Sequence, residues 1–275
     1  MIAKKTIKKI LLIPVVLFAL FYLVGVYMVQ TDDRVVEPRN TDVSVAKRIA
    51  LFGGSGTTGD GILKASLASP EIEHIYVVTR RVTPRMTEGV ESGKVTVIEH
   101  MDYLNYESII DQMKAIDTVY WAIGISSIGV DEKTYGMIHT DFPVAFLESW
   151  NTVSSEGERS FHFISSSDIS EDSDTMWIRE KIRAEKALFG LAENTALKVI
   201  AYRPDYIGPT EEEAHLGQDM LYWFFAPVGA AVKAQQIGQA MIEVTARIDE
   251  FSNKDKLSTL TIIRYSDAYE RLYQP

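Results

Sequence analysis

The chain has 275 residues, 46% hydrophobic and 24% charged, which is enough to bury a full core in one domain with additional segments. A formal net charge of −10 argues against nucleic acid as a partner, because binding to phosphates requires a basic surface. The absence of cysteine excludes disulfides, thiolate nucleophiles, iron–sulfur clusters and cysteine-ligated zinc. The five histidines are scattered without metal-ligand spacing, so we interpret them as packed or surface residues and predict no metal site.

The N-terminus predicts a membrane anchor. A basic stub, residues 1–9, precedes the uncharged residues 10–29, and a helix of that length crosses a hydrocarbon core of about 30 Å. A cleaved signal peptide is the alternative, but the apolar run is longer than a usual signal core and no small-residue cleavage site follows it. We therefore predict a single-pass anchor. The lysines of the stub favour a cytosolic N-terminus, but basic residues between 34 and 48 nearly balance them, so the membrane side stays open.

A polar segment, residues 30–47, follows the anchor. It contains Pro38 and Asn40, which disfavour regular structure, so it predicts a linker to a globular region. From residue 48 onward, strand and helix patterns alternate. We divide this region into a nucleotide-binding domain, residues 48–205, and a small C-terminal lobe that completes the sheet, residues 206–275.

The stretch from Ala50 to Asp60, Ala-Leu-Phe-Gly-Gly-Ser-Gly-Thr-Thr-Gly-Asp, joins an apolar strand pattern to a helical one. Its glycines fit the spacing G-x-G-x-x-G, which allows a tight turn and brings the backbone close to a pyrophosphate at the helix N-terminus. The context of strand, glycines and helix makes this short motif specific, and Asp60 stands where a P-loop would need lysine. The residues predicted to contact the pyrophosphate are Gly53, Gly54, Ser55, Gly56, Thr57, Thr58 and Gly59.

Further strand patterns follow the first one, Ile49–Phe52, at intervals that leave room for helices. They lie at Ile75–Thr79, Val95–Ile98, Val119–Ile123, Phe161–Ser165 and Leu197–Tyr202, with helical patterns at Tyr106–Ala115, Tyr135–Val153 and Met176–Ala192. Strands rich in β-branched residues that alternate with helices predict βαβ units. We therefore predict an α/β fold, a Rossmann-like doubly wound parallel sheet. Near the C-terminus, Leu257–Ile263 predicts an edge strand and Asp267–Tyr273 a closing helix.

The end of the second strand favours NADP(H) over NAD(H). An acidic residue about twenty positions after the glycines usually binds the ribose 2′-hydroxyl, but Thr79, Arg80 and Arg81 stand here instead. A guanidinium suits a 2′-phosphate because it donates forked, charge-assisted hydrogen bonds. The alternative is that both arginines are solvated loop charges. The other predicted cofactor contacts are Asp102, near the adenine, and Ala122, Ile123 and Gly124, after the fourth strand.

The ordered set of motifs resembles the extended and atypical short-chain dehydrogenase/reductases, most closely the group that includes the Tat-interacting protein and NmrA-like proteins. The resemblance spans residues 48–242, and it implies an NAD(P)-binding Rossmann fold with oxidoreductase activity. The matching stretches are Phe52-Gly-Gly-Ser-Gly-Thr-Thr-Gly59, Trp121-Ala-Ile-Gly124, Phe161-His-Phe-Ile-Ser-Ser166, Lys181-Ile-Arg-Ala-Glu185 and Tyr202-Arg-Pro-Asp-Tyr-Ile-Gly208.

The resemblance implies three catalytic positions, and one of them is altered. The family uses a tyrosine that exchanges a proton with the substrate, a lysine four residues later that lowers its pKa and holds the nicotinamide ribose, and a serine that orients the carbonyl. Lys181 matches the lysine, and Ser166 or Ser165 matches the serine. Trp177 occupies the tyrosine position, and an indole N–H donates a hydrogen bond without titrating usefully. Orthodox proton transfer is therefore in doubt, whereas cofactor binding is not.

Two functional hypotheses stay open. The first is a membrane-anchored, NADP(H)-preferring oxidoreductase of a small carbonyl or alcohol, with NAD as a possible second cofactor. Tyr135 or Tyr206 could then replace the missing tyrosine, although the sequence positions neither of them. The second is a catalytically silent nucleotide-binding protein that acts through protein contacts. Trp177 favours the second hypothesis, and the retained Lys181 and serines favour the first.

Leu221–Val228 is the most apolar stretch after the anchor. It predicts a core helix of the C-terminal lobe, because apolar helical runs usually face a protein core. The alternative is an exposed element, either a lid over an apolar substrate or a contact with the membrane surface.

Overall fold

Strands and helices alternate through residues 47–273. The computed structural model describes residues 2–40, 47–153 and 157–273, with side chains described from residue 13 onward. The strands β1 to β9 are Lys47–Phe52, Ile72–Thr79, Val95–Glu99, Thr118–Trp121, Arg159–Ile164, Leu197–Arg203, Tyr206–Gly208, Ala231–Lys233 and Lys256–Ser258. The helices α1 to α9 are Ile2–Gln30, Thr57–Ala68, Pro84–Glu91, Glu132–Gly136, Phe142–Val153, Met176–Leu191, Leu216–Phe225, Ala234–Ala246 and Thr259–Tyr273.

Seven of the strands form one parallel sheet in the order β3-β2-β1-β4-β5-β6-β9. The strand order reverses between β1 and β4, and a doubly wound sheet binds ligands beyond the carboxyl ends of its strands at such a point. β7 and β8 form a separate parallel pair. The predicted α/β fold with a doubly wound parallel sheet is confirmed.

Helices cover both faces of the sheet, which explains why its central strands are apolar on both sides. In β1, Leu51 belongs to the core that α2, α8 and α9 share, whereas Phe52 belongs to the core on the opposite face. Phe52 packs there against Phe146 of α5, with 4.4 Å between the ring centroids. Because β1 contributes side chains to both cores, packing on its two faces holds the end of the strand in place.

The helix predicted at Tyr106–Ala115 is wrong in most of its length, because only a 3₁₀ turn forms, at Ile110–Met113. Side chains compete with the helical backbone here, since Asn105 accepts a hydrogen bond from the backbone N–H of Glu107 at 2.9 Å. The buried residues of this stretch, Tyr106, Ile109 and Met113, still face the core. The apolar spacing therefore predicted burial correctly but not a helix.

The edge strand predicted at Leu257–Ile263 is shorter than expected. It forms as β9, which joins the sheet beside β6, but α9 begins directly after it at Thr259. The Ser258 hydroxyl accepts a hydrogen bond from the backbone N–H of Thr261 at 3.4 Å, which is the contact of a helix N-cap. This cap ends the strand inside a run whose β-branched residues favour a longer one.

The predicted linker is bound to the domain over much of its length. Arg264 pairs with Asp32, Arg271 donates to the backbone oxygen of Val36 at 2.7 Å, and Arg39 pairs with Glu243 at 3.1 Å. Residues 32–39 therefore form a strap along α8 and α9. Residues 41–46 of the predicted linker lie outside the described residues.

The N-terminal helix α1 extends through the predicted anchor. Within the described part of the chain it is the helix with the length and composition to cross a membrane, over Ile13–Gln30, with a mean hydropathy of 2.1. None of that stretch is buried inside the protein. Pro14 lies inside α1, as membrane helices tolerate.

The prediction of a core helix at Leu221–Val228 is wrong. α7 and the 3₁₀ turn that follows it, Ala226–Val228, contain no buried residue, and Trp223 is 75% exposed. An apolar run shows that a helix has an apolar surface, but it does not show whether protein covers that surface. The alternative of an exposed element agrees with the structure.

Candidate functional site

The glycine turn between β1 and α2 brings the backbone close to the chain beyond β4. Gly53 has φ +82°, and a Cβ at this position would lie 2.7 Å from the backbone carbon of Ala122. The Gly56 N–H donates to the Gly53 oxygen at 3.0 Å, which closes the turn. Gly56 precedes α2 without a side-chain cap, so the first amides of that helix, at Thr57 and Thr58, can donate to an anion.

A cleft of about 140 Å³ opens over this turn at the carboxyl edge of the sheet. It brings together many of the predicted cofactor contacts, and it adds residues from the loop after β3 and from the segment that joins α4 to α5. The lining residues include Gly53, Ser55, Gly56, Thr79, Arg80, Tyr103, Ala122, Ile123, Gly124, Ile138 and Phe142. The glycine turn and the carboxyl end of β4 thus face each other across one cleft.

Arg80 and Arg81 form a positive rim beside the glycine turn. The Thr79 hydroxyl donates to the Arg81 oxygen at 2.8 Å and holds the turn after β2. Arg80 lies over the ring of Tyr103, with 5.8 Å from its guanidinium carbon to the ring centroid, and Arg81 donates to the Ser55 oxygen at 3.4 Å. Among the described residues, no carboxylate lies within salt-bridge distance of either guanidinium. Both are free to meet an anionic group of a ligand.

Asp102 is engaged in its own loop. Its carboxylate accepts a hydrogen bond from the Leu104 N–H at 3.0 Å, and it does not line the cleft with Arg80. The neighbouring Tyr103 lines the cleft instead and packs on Phe142, with 5.4 Å between the ring centroids. Sequence reasoning missed this aromatic pair, because nothing in the pattern distinguishes a cleft tyrosine from a core tyrosine.

Asp60, which stands where a P-loop would have lysine, connects α2 to its surroundings. It is buried and accepts hydrogen bonds from Arg85 at 2.7 and 3.1 Å and from the Thr210 hydroxyl at 3.0 Å. Arg85 is therefore paired, and the positive charge near the glycine turn belongs to the two arginines that follow β2.

Lys181 and Trp177 lie one turn apart on α6, hence on the same face of the helix. Lys181 is buried and donates from Nζ to the Ile164 oxygen, at the end of β5, at 3.1 Å. Burial lowers the pKa of Lys181 to about 8, and the nearby Glu185 partly opposes this shift. Trp177 is half-buried at the start of the helix.

The two candidate serines have different surroundings. Ser165 is buried and donates to a Glu185 carboxylate oxygen at 2.6 Å, and Arg203 donates to the same oxygen at 2.8 Å. Ser165 is therefore engaged in an internal network. Ser166 is half-buried, directly after it in the chain, and so is the better placed of the two for the predicted role.

His139 is a site residue that the sequence analysis did not single out. Its Nε2 lies 3.1 Å from the Ile125 N–H, and a Cβ on Gly124 would lie 2.8 Å from the imidazole. Burial, and to a smaller extent the charge of Lys181, lowers the pKa of His139 to about 3. The ring of Tyr135 packs against the histidine, with 4.1 Å between the ring centroids and 31° between the ring planes. A neutral imidazole therefore fixes the loop after β4, and a single histidine inside a helical pattern gave no signal of this.

The two tyrosines considered as substitutes lie in different places. Tyr135 is buried next to His139, and burial raises its pKa to about 12. Tyr206 lies in β7, where its hydroxyl donates to the Gln218 oxygen of α7 at 3.3 Å. The structure therefore brings Tyr135, and not Tyr206, to the side of the site that carries Lys181.

The arrangement fits a nicotinamide dinucleotide. A side chain at Gly53 would collide with the Ala122 backbone, so glycine is what lets the turn and its amides lie at the cleft, and Arg80 and Arg81, without a carboxylate partner among the described residues, suit a phosphate at the ribose end. At the carboxyl end of β5, outside the lining of this cleft, Lys181 provides a buried ammonium group. No titratable hydroxyl precedes it by one turn, because Trp177 is there.

Comparison with known proteins finds distant relatives of the chain in sequence and in structure. No family model matches it. The mitochondrial protein fmp52 of Emericella nidulans is 23% identical over 195 residues, which cover 70% of this chain and 80% of that protein.

Solved structures resemble the whole globular region. The short-chain dehydrogenase/reductase YIR035C of Saccharomyces cerevisiae has a TM-score of 0.60 at 14% identity and covers 78% of this chain and 96% of its own. BdcA in complex with NADPH has a TM-score of 0.60 at 13% identity, covering 80% and 96%. MoeE5 in complex with UDP-glucose and NAD has a TM-score of 0.58 at 17% identity, covering 77% and 75%. The resemblance to short-chain dehydrogenase/reductases predicted from the motifs is confirmed, and the chain has their Rossmann fold.

Proposed function

We propose that the protein is a membrane-anchored, NADP(H)-preferring oxidoreductase of the atypical short-chain dehydrogenase/reductase type, acting on a small carbonyl or alcohol. The observation that carries the proposal is the pair Arg80 and Arg81, which have no carboxylate partner among the described residues; Arg81 contacts Ser55 of the glycine turn, and Arg80 lies over Tyr103 of the cleft. If the two arginines were only solvated loop charges, they would not need to lie beside the cleft and the glycine turn. Two guanidinium groups at the ribose end of a dinucleotide cleft suit a 2′-phosphate.

Residues predicted from the sequence, together with the aromatic pair found in the structure, would hold the dinucleotide along the carboxyl edge of the sheet. The amides of the glycine turn and α2 would bind the pyrophosphate, Tyr103 and Phe142 would flank the adenine, and Lys181 would bind the nicotinamide ribose. Bound nicotinamide supplies or accepts a hydride, and the rest of the chemistry falls to the protein. Ser166 would orient the substrate carbonyl as a hydrogen-bond donor.

Proton transfer is the step for which the site is least equipped. Trp177 has no group that releases a proton at accessible pH, so Lys181, with its pKa lowered to about 8, is the titratable group nearest to neutral pH in this part of the site. Trp177 favours a second candidate function, a protein that binds the dinucleotide without turnover and acts through protein contacts. The two functions share the cofactor and differ in whether a carbonyl is reduced.

The anchor is part of the same proposal. α1 is long and apolar enough to cross a membrane. The fmp52 relative is a mitochondrial protein, which supports a mitochondrial membrane as the location. The strap of residues 32–39 would then hold the nucleotide-binding domain close to that membrane.

Titration of the full chain in lipid nanodiscs with NADPH and with NADH tests the cofactor. We expect NADPH to bind roughly tenfold more tightly or better, because an exposed charge-assisted pair contributes about 1 kcal/mol or more. Arg80→Ala and Arg81→Ala should each weaken NADPH binding and leave NADH binding nearly unchanged. Lys114→Ala, which removes an exposed charge elsewhere, is the control. Equal affinities would remove the preference for NADP(H), and no binding of either nucleotide would remove the proposed function.

A further inference from the structure

α7 presents an apolar stripe to the outside of the protein. On its inner face, Tyr222 lies against Gly208, and Phe225 packs on Tyr206 with 6.2 Å between the ring centroids. Its outer face carries apolar residues at positions i, i+4, i+7 and i+8, all between 43% and 78% exposed: Leu216, Met220, Trp223 and Phe224. Helices on the surface of soluble proteins show the reverse pattern, with polar residues outward.

The end of this stripe packs against α1, inside the apolar stretch that is proposed to cross the membrane. The ring of Phe224 stacks on Phe18 at 6.2 Å and on Tyr22 at 5.3 Å between centroids. The Tyr22 hydroxyl also donates to the Phe224 oxygen at 2.8 Å. Farther along α1, a Cβ on Gly25 would lie 3.2 Å from the Val228 side chain. The stripe therefore continues the surface of α1 without a polar gap at the contact.

The position of the contact along α1 sets its depth. Tyr22 and Phe18 lie about 12 and 18 Å before the end of α1 at Gln30, at 1.5 Å per residue. A hydrocarbon core is about 30 Å thick, so a side chain that touches both residues lies inside it when α1 spans the membrane. This step rests on the proposed anchor. It follows that the C-terminal half of α7 cannot remain in water.

The strap keeps the domain from moving away from this position. Residues 32–39 are bound by the pair Arg264–Asp32, by Arg271 at the Val36 oxygen and by Arg39 at the buried Glu243. The strap follows α1 directly in the chain. The orientation of the domain relative to α1 is therefore fixed at two places, by the contacts of the strap and by the contact between α7 and α1.

We propose that α7 is a second membrane-embedded element, whose outer stripe contacts the acyl chains of the bilayer beside α1. Bilayer hydrocarbon is the occupant because the stripe is continuous with a helix that itself requires hydrocarbon around it. The polar residues of α7, Gln218 and Asp219, lie in its N-terminal half, away from the contact with α1, where headgroups and water are within reach.

The chain contains no cysteine, so single labelling sites can be introduced into the full-length protein. Trp223→Cys and Met220→Cys place an environment-sensitive fluorophore, nitrobenzoxadiazole, on the stripe. Val15→Cys reports on α1, and Val90→Cys is a matched exposed apolar position on α3, away from α7. Each variant is reconstituted into phosphatidylcholine vesicles and exposed to lipids that carry a doxyl quencher on the acyl chain, or to aqueous iodide.

We expect the fluorophore at positions 223 and 220 to emit at shorter wavelength, to lose fluorescence to doxyl lipids as position 15 does, and to resist iodide. The fluorophore at position 90 should be quenched by iodide and not by the doxyl lipids. Quenching of positions 223 and 220 by iodide alone, with position 15 quenched by lipid, would overturn the inference and leave the anchor standing. Shielding of the stripe from both quenchers would overturn it too, since a second copy or another protein would then cover the stripe. Iodide quenching at position 15 as well would refute the anchor itself.

Discussion

Trp177 is the residue at which the site departs from the chemistry that its fold usually performs. An indole N–H can donate a hydrogen bond to a substrate oxygen, but it cannot give up its proton at accessible pH. Lys181 is retained one turn later, buried and hydrogen-bonded to the end of β5. A lysine at this place can bind the ribose whether or not a tyrosine accompanies it. The missing proton donor therefore affects turnover and leaves cofactor binding intact.

Restoring a phenol at this position should create or increase turnover. If the second candidate function is right, the wild-type chain should bind NADPH but reduce a panel of small aldehydes and ketones hardly faster than background, whereas the proposed oxidoreductase should turn these substrates over clearly above background. General acid–base catalysis contributes ~10²–10⁴-fold, so Trp177→Tyr should raise the rate of NADPH oxidation at least about tenfold. Absorbance at the reduced nicotinamide band measures this rate.

Trp177→Phe is the matched control, because it also removes the indole but supplies no hydroxyl. Lys181→Ala should weaken NADPH binding in both the wild-type and the Trp177→Tyr backgrounds. Strong wild-type turnover that persists in Trp177→Phe and in Lys181→Ala would mean that the active site lies elsewhere.

The sequence could predict site residues whose place follows from the local backbone, such as those of a tight turn at the end of a strand. It could not predict site residues that come close to the cleft only through the packing of distant parts of the chain. The glycines after β1 and the arginines after β2 have a fixed chain distance from each other in a βαβ unit, so the sequence could predict that Gly53, Gly56 and Arg80 lie at one cleft, and their contact with a cofactor stays a prediction. Tyr103 lies in the loop after β3, and His139 lies in the segment that joins α4 to α5. The positions of both depend on the packing of the whole sheet, which the local sequence does not show. Asp102 was predicted beside the adenine, but its carboxylate accepts a hydrogen bond from its own loop.

At the scale of the elements, the sequence predicts the unit of β1, glycine turn and α2 more clearly than any other part of the fold. Strands were found because their β-branched residues are buried on both faces. α7 was misjudged, because an apolar pattern is the same whether protein or lipid covers it. The short helix predicted after β3 failed for a different reason, since polar side chains there close local turns.

Two glycines with left-handed backbone allow the glycine turn to be tested against a matched control. Gly53 has φ +82° and Gly93 has φ +77°, so alanine at either position costs about 1–2 kcal/mol in backbone strain. A Cβ on Gly93 meets nothing within 4 Å, whereas one on Gly53 would lie 2.7 Å from the Ala122 backbone. Gly53→Ala should therefore lower the free energy of unfolding by about 1–3 kcal/mol more than Gly93→Ala does.

Gly53→Ala should also abolish measurable NADPH binding, because the clash with the Ala122 backbone displaces the turn and the amides proposed to bind the pyrophosphate. Thermal unfolding in detergent micelles and calorimetric titration measure the two effects. Equal destabilisation by both substitutions, or normal NADPH binding by Gly53→Ala, would show that the turn does not approach Ala122 as described.

At the scale of the whole molecule, a buried polar network connects the sheet to α8. His162 of β5 is fully buried, with its Nδ1 3.0 Å from the Tyr202 hydroxyl and its Nε2 3.2 Å from the Thr245 hydroxyl. Burial lowers the pKa of His162 to about 3. The imidazole is therefore neutral in the folded protein across the physiological range, and it links two strands to a helix of the C-terminal lobe.

This network makes the folded protein sensitive to acid. In the unfolded chain a histidine titrates near pH 6.5. Between about pH 6.5 and pH 3 the unfolded chain binds a proton at His162 that the folded protein does not bind. The stabilisation from this depressed pKa is therefore complete above pH 6.5, and it is lost by about 1.4 kcal/mol for each pH unit below it.

His162→Gln keeps a donor and an acceptor in the network but does not titrate. We expect it to be less stable than the wild type at pH 7.5, because the geometry of the buried hydrogen bonds changes. Its stability should then fall less steeply with acid, by about 1.4 kcal/mol per pH unit less than the wild type between pH 6 and pH 4. Denaturant unfolding of both full-length chains in detergent micelles gives the two slopes. Carboxylates contribute equally to both chains, so parallel slopes would show that His162 is not held neutral by the fold.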